Sequence, residues 1–138
     1  MNNKSGALAV VLSVIAITLS VVSLVTSTRS SGVSDVQYVM YIGTNDKDTN
    51  EPVATPDEAK KLVEDILVEH FGGYTIQEAN GGWKNEGTRY QEYSVVAILS
   101  DTDLDSVHAV ADELCKKLKQ TSILIQTNET KTEFYECK

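Results

Sequence analysis

The side chains best suited to binding lie around the only tryptophan of the chain. Trp83 follows two glycines, and Arg89 and Glu92 come shortly after it. An aromatic ring, an arginine and a carboxylate are common where proteins hold a ligand or a partner. The competing interpretation is structural, with Trp83 closing one end of the core and Glu92 paired with Arg89. The sequence predicts a contact site from Trp83, Arg89 and Glu92, together with Tyr41 and Asn45.

Two acidic runs resemble the start of calcium-binding loops. The first, 46–50, has the spacing D-x-D-x-N, but Glu51 and Asp57 stand where such a loop needs Gly and Glu. The second, 101–105, has Ser106 in place of the glycine. Both runs precede a predicted helix, where the helix dipole favours acidic side chains. We therefore predict no metal site.

The histidines and cysteines are sparse. His70 and His108 fall on different predicted helices, without the spacing of a metal-binding pair. Cys115 and Cys137 are the only cysteines. In an exported protein they could form a disulfide that ties the C-terminal strand to the second helix. The alternative is one buried thiol and one thiol in the tail.

Sequence fingerprints of common enzyme chemistry are missing. The chain has no G-x-S-x-G elbow, no phosphate-binding loop and no dinucleotide-binding glycine motif. No set of Ser, His and acid is suggested by position. We predict no catalytic residues and no cofactor, and the question of enzymatic activity stays open, with a non-enzymatic role favoured.

Charge divides the chain into two parts. The 24 residues between Lys4 and Arg29 carry no ionisable side chain. All 20 acidic residues and all but these two of the 12 basic residues lie after residue 29, so residues 30–138 have a net charge of −10. Such a segment lacks the basic surface that phosphate binding needs, which excludes nucleic acid as an expected partner.

The uncharged segment predicts a transmembrane helix. It is rich in Ala, Val, Leu and Ile, and about 20 apolar residues suffice to cross a bilayer. We expect a signal-anchor in residues 1–28, with residues 6–27 in membrane lipid. The positive charges before the segment exceed those after it, which favours a single-pass protein of the cell membrane with its C-terminal domain outside. The alternative is a cleaved signal and a secreted protein.

Hydrophobic periodicity predicts six further elements after a polar tether at 29–35. The first helix has a clear start, because Thr55 and Glu58 form a capping box around Pro56, and Gly72 ends it. The second helix begins at Ser100 or Asp101 and ends near Gln120. A glycine-rich loop is expected at 80–87. The predicted strands are Val36–Gly43, Tyr74–Ala79, Arg89–Ser100 and Ser122–Thr127, with a further extended piece at Thr132–Glu136.

The order β-α-β-β-α-β predicts an α+β fold, the ferredoxin-like sandwich, over residues 36–138. In that fold two helices cover one face of a four-stranded antiparallel sheet. Both faces of the predicted sheet are apolar: Tyr38 and Met40 alternate with Val39 and Tyr41. An uncovered apolar face is expected to bind something, and a second copy of the chain is the simplest candidate.

Four short motifs resemble one family. They are the tyrosine-rich first strand ending in Gly43, the F-G-G-Y-T stretch at 71–75, the G-G-W at 81–83, and Glu92 before a long apolar strand. The chain is similar to a family of small bacterial exported domains, many of them lipoproteins, classed as a domain of unknown function. The resemblance implies a ferredoxin-like fold and an extracytoplasmic location. Unlike the lipoproteins of the family, this chain has no cysteine near the end of its uncharged segment that could carry a lipid.

We therefore expect a membrane-anchored extracytoplasmic domain that acts as a binding or interaction module. Its partner is another copy, bound through the open sheet face, or an envelope protein. The alternative is a small enzyme with an active-site cavity beneath the sheet, walled by Tyr41, Trp83, Arg89 and Glu92.

Overall fold

The computed structural model describes residues 33–138. Within them Ser34–Thr132 form a compact unit, to which Glu133–Lys138 do not belong. The predicted anchor at 1–28 and most of the predicted tether lie outside the described residues. Among the residues that are described, no helix has both the length and the hydropathy to cross a bilayer.

The predicted ferredoxin-like order is confirmed. Four strands form one sheet in the order β2-β3-β1-β4, and β1 and β2 both pair with β3 in antiparallel fashion. The elements are β1 (Val33–Gly43), α1 (Pro56–Phe71), β2 (Thr75–Asn85), β3 (Thr88–Leu99), α2 (Leu104–Lys117) and β4 (Leu124–Thr132).

Helix α1 begins and ends as its sequence predicts. The Thr55 hydroxyl accepts from the Glu58 backbone N–H, and the Glu58 carboxylate accepts from the Thr55 backbone N–H, which completes the capping box. Gly72 follows the helix with φ of 70°, a left-handed conformation that glycine adopts without strain. The helix turns four apolar side chains into the core, namely Ala59, Val63, Ile66 and Leu67.

Helix α2 begins later than predicted. Its N-cap is Asp103, not Ser100 or Asp101, because the Asp103 carboxylate accepts from both the backbone N–H and the hydroxyl of Ser106. These bonds, chiefly the one from the backbone N–H, hold the pKa of Asp103 below its usual value. Asp101 instead has φ of 57°, in a turn before the helix. The acidic run at 101–105 thus contains a turn at Asp101 and the N-cap of α2 at Asp103.

Strand β2 is longer than the sequence predicts. The expected loop at 80–87 was wrong for most of its length, since Asn80–Asn85 continue the strand in register with β3. Only Glu86 and Gly87 turn the chain, with φ of 47° and 87°, as a two-residue hairpin of twisted strands requires. Pairing with the long β3 thus outweighs the low strand propensity of glycine and asparagine. Strand β1 also begins earlier than predicted, at Val33.

The core lies between the helices and one face of the sheet. Met40 and Ile42 on β1 and Val95 and Ala97 on β3 are fully buried there. The buried side chains form one cluster, made of Tyr38, Met40, Ile42, Ala59, Val63, Ile66, Leu67, Val95, Ala97, Leu99, Val107, Val110, Leu114 and Leu118.

Neither α1 nor α2 covers the opposite face, called here the open face. Its central side chains are apolar, because Val39 lies opposite Ile98 and Tyr41 lies opposite Val96 in the β1–β3 register. Leu124 on β4 extends this surface and is 60% exposed. The open face is thus the outward side of all four strands, with Val39, Tyr41, Val96 and Ile98 at its centre and Leu124 on the edge strand β4.

One carboxylate ties the start of β1 to the end of β4. Asp35 Oδ2 accepts from the hydroxyl of Thr132 at 2.6 Å and from the backbone N–H of Asp101 at 3.2 Å. The Thr132 hydroxyl is the main cause of a lowered pKa at Asp35. The start of β1 and the end of β4 therefore lie at the same end of the sheet, where a charge-assisted hydrogen bond joins them.

Candidate functional site

Two glycines make room for a carboxylate at the end of the open face. Gly43 is the last residue of β1, and a Cβ on it would lie 2.6 Å from both carboxylate oxygens of Glu92. Gly81 lies directly opposite Glu92 in the β2–β3 register, and a Cβ there would lie 3.3 Å from Glu92 Cγ. The Glu92 side chain therefore occupies space that any larger residue at Gly43 would fill.

The backbone after β1 holds this carboxylate. Glu92 Oε2 accepts from the backbone N–H of Thr44 at 3.0 Å and from that of Asn45 at 3.1 Å. Hydrogen bonds to an ionised acceptor are about twice as strong as neutral ones. Two of them fix the carboxylate in one position beside the loop that follows β1.

Side chains replace the sheet hydrogen bonds where β1 ends. The Thr44 hydroxyl donates to the carbonyl of Tyr93 at 2.7 Å, and Asn45 Nδ2 donates to the carbonyl of Gln91 at 3.2 Å. Asn45 Nδ2 also donates to the carbonyl of Asn50 at 2.9 Å. Thr44 and Asn45 are accordingly buried, at 1% and 5% exposure, and buried polar groups need such partners.

The loop from Asn45 to Glu51 is also tied to the end of α2. Lys119 Nζ lies 2.9 Å from Asp46 Oδ2, and this hydrogen bond is the main cause of a lowered pKa at Asp46. The Lys47 backbone N–H donates to the carbonyl of Lys119 at 3.0 Å, and Gln120 Nε2 donates to the carbonyl of Asn45. These bonds hold the loop in one position against the end of α2.

These parts enclose an open depression of about 330 Å³. The indole of Trp83 forms part of its wall and stacks on Tyr90, with ring centroids 5.4 Å apart and planes at 17°. Stacked aromatic pairs of this kind are worth about 0.5–1.5 kcal/mol beyond their burial. The depression is lined by Asn45, Asp46, Lys47, Asn50, Trp83, Glu92, Gln120, Thr121 and Ser122.

The structure brings together three of the five residues expected to form the site. Asn45, Trp83 and Glu92 line the depression. Arg89 instead lines a second depression of about 290 Å³, on the hairpin with Trp83. Tyr41 lies on the open face, where its hydroxyl donates to Gln126 Oε1 at 3.0 Å. The arrangement gives a fixed carboxylate beside an indole.

The remaining chemical candidates lie elsewhere. Among residues 33–138, no group of three or more His, Cys, Asp or Glu side chains is placed to hold a metal ion. Cys115 is half-buried on α2, and burial raises the pKa of its thiol. The disulfide between Cys115 and Cys137 stays a prediction.

The family is decided by a match over most of the domain. A family model described as a protein of unknown function (DUF3574) matches residues 37–134. The chain belongs to this DUF3574 family. The resemblance inferred from the four short motifs is thereby confirmed. A comparison with curated proteins gave no match.

Solved structures share the fold of this DUF3574 domain. A phage SAM lyase in complex with S-methyl-5'-thioadenosine has a TM-score of 0.55 at 19% identity, covering 78% of this chain and 98% of the other. Its apo state has a TM-score of 0.52 at 20% identity, covering 75% and 94%. CutA from Synechococcus elongatus has a TM-score of 0.48 at 10% identity, covering 74% and 84%. At 19–20% identity, the likeness to the SAM lyase establishes the fold alone.

Sequence reasoning missed the residues that place Glu92. The sequence identifies Gly43 only as the end of a strand, and it predicts a loop at Gly81. The register shows their role, because Gly43 lies opposite Ser94 and Gly81 lies opposite Glu92. Gln120 was also missed, since nothing in its sequence neighbourhood indicates that it contacts the loop after β1.

Proposed function

We propose that this DUF3574 domain is a membrane-tethered interaction module whose open face binds a second copy of the chain. The observation that carries the proposal is the apolar centre of the open face, which neither helix covers. Val39, Tyr41, Val96 and Ile98 are adjacent across β1 and β3. Contiguous apolar surface of this kind marks interaction sites in soluble domains.

Charge supports self-association through this face. Residues 30–138 carry a net charge of −10, so two copies repel one another over most of their surfaces. The centre of the open face carries no ionisable side chain at Val39, Val96, Ile98 or Leu124. The centre of this face therefore adds no charge repulsion of its own between two copies.

The dimensions of the face suit a specific interface. Four strands spaced about 4.8 Å apart and about eight residues long offer about 500 Å² in projection. This is the right order for the accessible surface of about 800 Å² that each partner buries in a standard interface. Tyr41 adds an amphipathic side chain that is 40% exposed, the residue type enriched in such interfaces.

A lysine in the middle of the face should abolish self-association. We expect Val96→Lys to weaken association at least about a hundredfold, because two ammonium groups would be desolvated against apolar side chains. The matched control is Val68→Lys, since Val68 is a valine on α1 that is already 47% exposed. Light scattering of the full chain in a neutral detergent gives the mass of each variant. An unchanged mass for Val96→Lys, or a monomeric parent chain, would rule out the proposed interface.

The membrane tether rests on the uncharged segment between Lys4 and Arg29. We expect the full chain to stay in the membrane pellet after carbonate extraction, because about 20 apolar residues insert irreversibly. A soluble fragment that begins after Ser27 would instead indicate a cleaved signal and a secreted domain. The same proposal places the domain outside the cell.

The alternative of a small enzyme has weaker support. It needs an enclosed cavity walled by Tyr41, Trp83, Arg89 and Glu92, whereas the depression is open and lacks Tyr41 and Arg89. The phage SAM lyase has an activity on this fold, but its likeness at 19% identity concerns the fold alone. The geometry therefore favours the interaction module.

A further inference from the structure

The depression beside Trp83 contains a carboxylate with unused hydrogen-bonding capacity. Glu92 Oε2 accepts from two backbone N–H groups. Within the part of the chain that the structure describes, Oε1 accepts from none. Because the backbone holds Oε2, the other oxygen of the same carboxylate is also fixed in position. Oε1 is therefore preorganised to accept from a ligand, since little side-chain freedom is lost when the ligand binds.

Asn45 fixes the loop beside this carboxylate. Its Nδ2 donates to the carbonyls of Asn50 and Gln91, which fixes the orientation of the amide. The side chain is buried, with the residue 5% exposed, and Oδ1 has no donor among the described residues. This oxygen is closed off from the free space of the depression, so it does not meet a ligand there. Asn45 instead positions the carboxylate, because its backbone N–H donates to Glu92 Oε2.

Charge in the depression selects a cation. The acidic Asp46 is paired with Lys119, and Lys47 is paired with Asp48. Among the described residues Glu92 has no Lys or Arg partner within the distance of an ion pair. Trp83 adds the aromatic ring that attracts cations most strongly. A ligand that offers positive charge and N–H donors matches the Glu92 carboxylate and the indole.

We propose that this depression binds a small compound carrying a guanidinium or amidinium group. The planar group donates to Glu92 Oε1 and lies against Trp83. Guanidinium suits this role because it is flat, permanently charged and rich in donors, and because it stacks on aromatic rings. The volume of about 330 Å³ is at the lower end of small-molecule sites, which favours a free compound over a protein segment. The proposal does not depend on self-association.

The test uses the fluorescence of the single tryptophan. The full chain in a neutral detergent is titrated with methylguanidine and with methylurea, which has a similar flat shape but no charge. We expect saturable quenching by methylguanidine and at least about tenfold weaker binding of methylurea, the size of one charge-assisted hydrogen bond. Tetramethylammonium, a cation without N–H donors, should also bind at least about tenfold more weakly. Equal binding of methylguanidine and methylurea would overturn the proposal.

Variants show whether the signal comes from this site. Glu92→Gln keeps the shape of the side chain and should lose at least about tenfold in methylguanidine affinity. Glu69→Gln, an exposed position on α1, should bind as the parent does, and circular dichroism shows whether each variant is folded. If Glu92→Gln is unfolded, calorimetry on Trp83→Phe replaces it, with a loss of about threefold or more expected. Unchanged affinity in a folded variant would overturn the proposal.

A last arm separates a free compound from a protein partner. An acetylated, amidated peptide with one central arginine is titrated in the same way. We expect it to bind no more tightly than methylguanidine. Tighter binding of the peptide would overturn the small-compound assignment and identify an arginine side chain of a partner as the ligand.

Discussion

Gly43→Ala should destabilise the domain by about 2–3 kcal/mol. The new methyl group would lie 2.6 Å from both carboxylate oxygens of Glu92, a distance that no real contact tolerates. Either the carboxylate leaves the backbone N–H groups of Thr44 and Asn45, or β1 shifts. Losing charge-assisted hydrogen bonds and overpacking each cost energy of this order. Urea denaturation gives the free energy of unfolding of the variant and the parent.

Two further variants establish the cause. Gly73→Ala is the matched control, because a Cβ at Gly73 would meet nothing within 4 Å, and its effect should stay within about 0.5 kcal/mol. In the double variant Gly43→Ala/Glu92→Ala the clash is gone. Its loss of stability should be smaller than the sum of the two single losses by at least about 1 kcal/mol. Strict additivity would show that Glu92 is not what restricts position 43.

Asn45→Asp should lower the stability of the domain more than Asn45→Ala does. In place of Nδ2, an oxygen would face the carbonyls of Asn50 and Gln91, at the distances of 2.9 and 3.2 Å now spanned by hydrogen bonds. A buried charge without compensation costs about 3–5 kcal/mol. Asn45→Ala leaves only two unsatisfied carbonyls, so about 1–3 kcal/mol is expected. Urea denaturation at pH 7 measures the free energy of unfolding of both variants and of the parent.

The pH dependence of Asn45→Asp has a definite sign. Burial and the two carbonyls disfavour the ionised form of the introduced carboxyl, so its pKa in the folded state is raised. The folded state then binds more protons than the unfolded state, and stability rises as the pH falls towards the unfolded value of about 3.9. The difference in free energy of unfolding between Asn45→Asp and Asn45→Ala should therefore be smaller at pH 5 than at pH 7. Asn128 lies on the exposed part of β4, and its Asp and Ala variants should differ little in stability at either pH.

The fold was predictable because local patterns and global structure agree. The capping box at Thr55 and the helical spacing of Val63, Ile66 and Leu67 define α1 without reference to the rest of the chain. The alternation in β1 and β3 likewise separates a core face from an open face. Where the local signal is weak, the prediction fails: glycine and asparagine in β2 indicate a loop, and only pairing with β3 makes them a strand.

The site was predictable in composition but not in assembly. Trp83 and Glu92 were expected to act together, and they line the same depression. Their position relative to Asn45 depends on the register of β3 with both β1 and β2, which no single segment encodes. The separation of Arg89 follows from the alternation of strands, since Arg89 and Tyr90 point to opposite faces of β3.

The bond between Asp35 and Thr132 lies at the opposite end of β1 from the Glu92 carboxylate. Asp35 lies near the start of β1, and Gly43 is eight residues further along the strand. At about 3.3 Å per residue, the carboxylate site is about 26 Å from the Asp35–Thr132 bond. The two ends of β1 are therefore held by two different hydrogen-bonded carboxylates, Asp35 at its start and Glu92 just beyond its end.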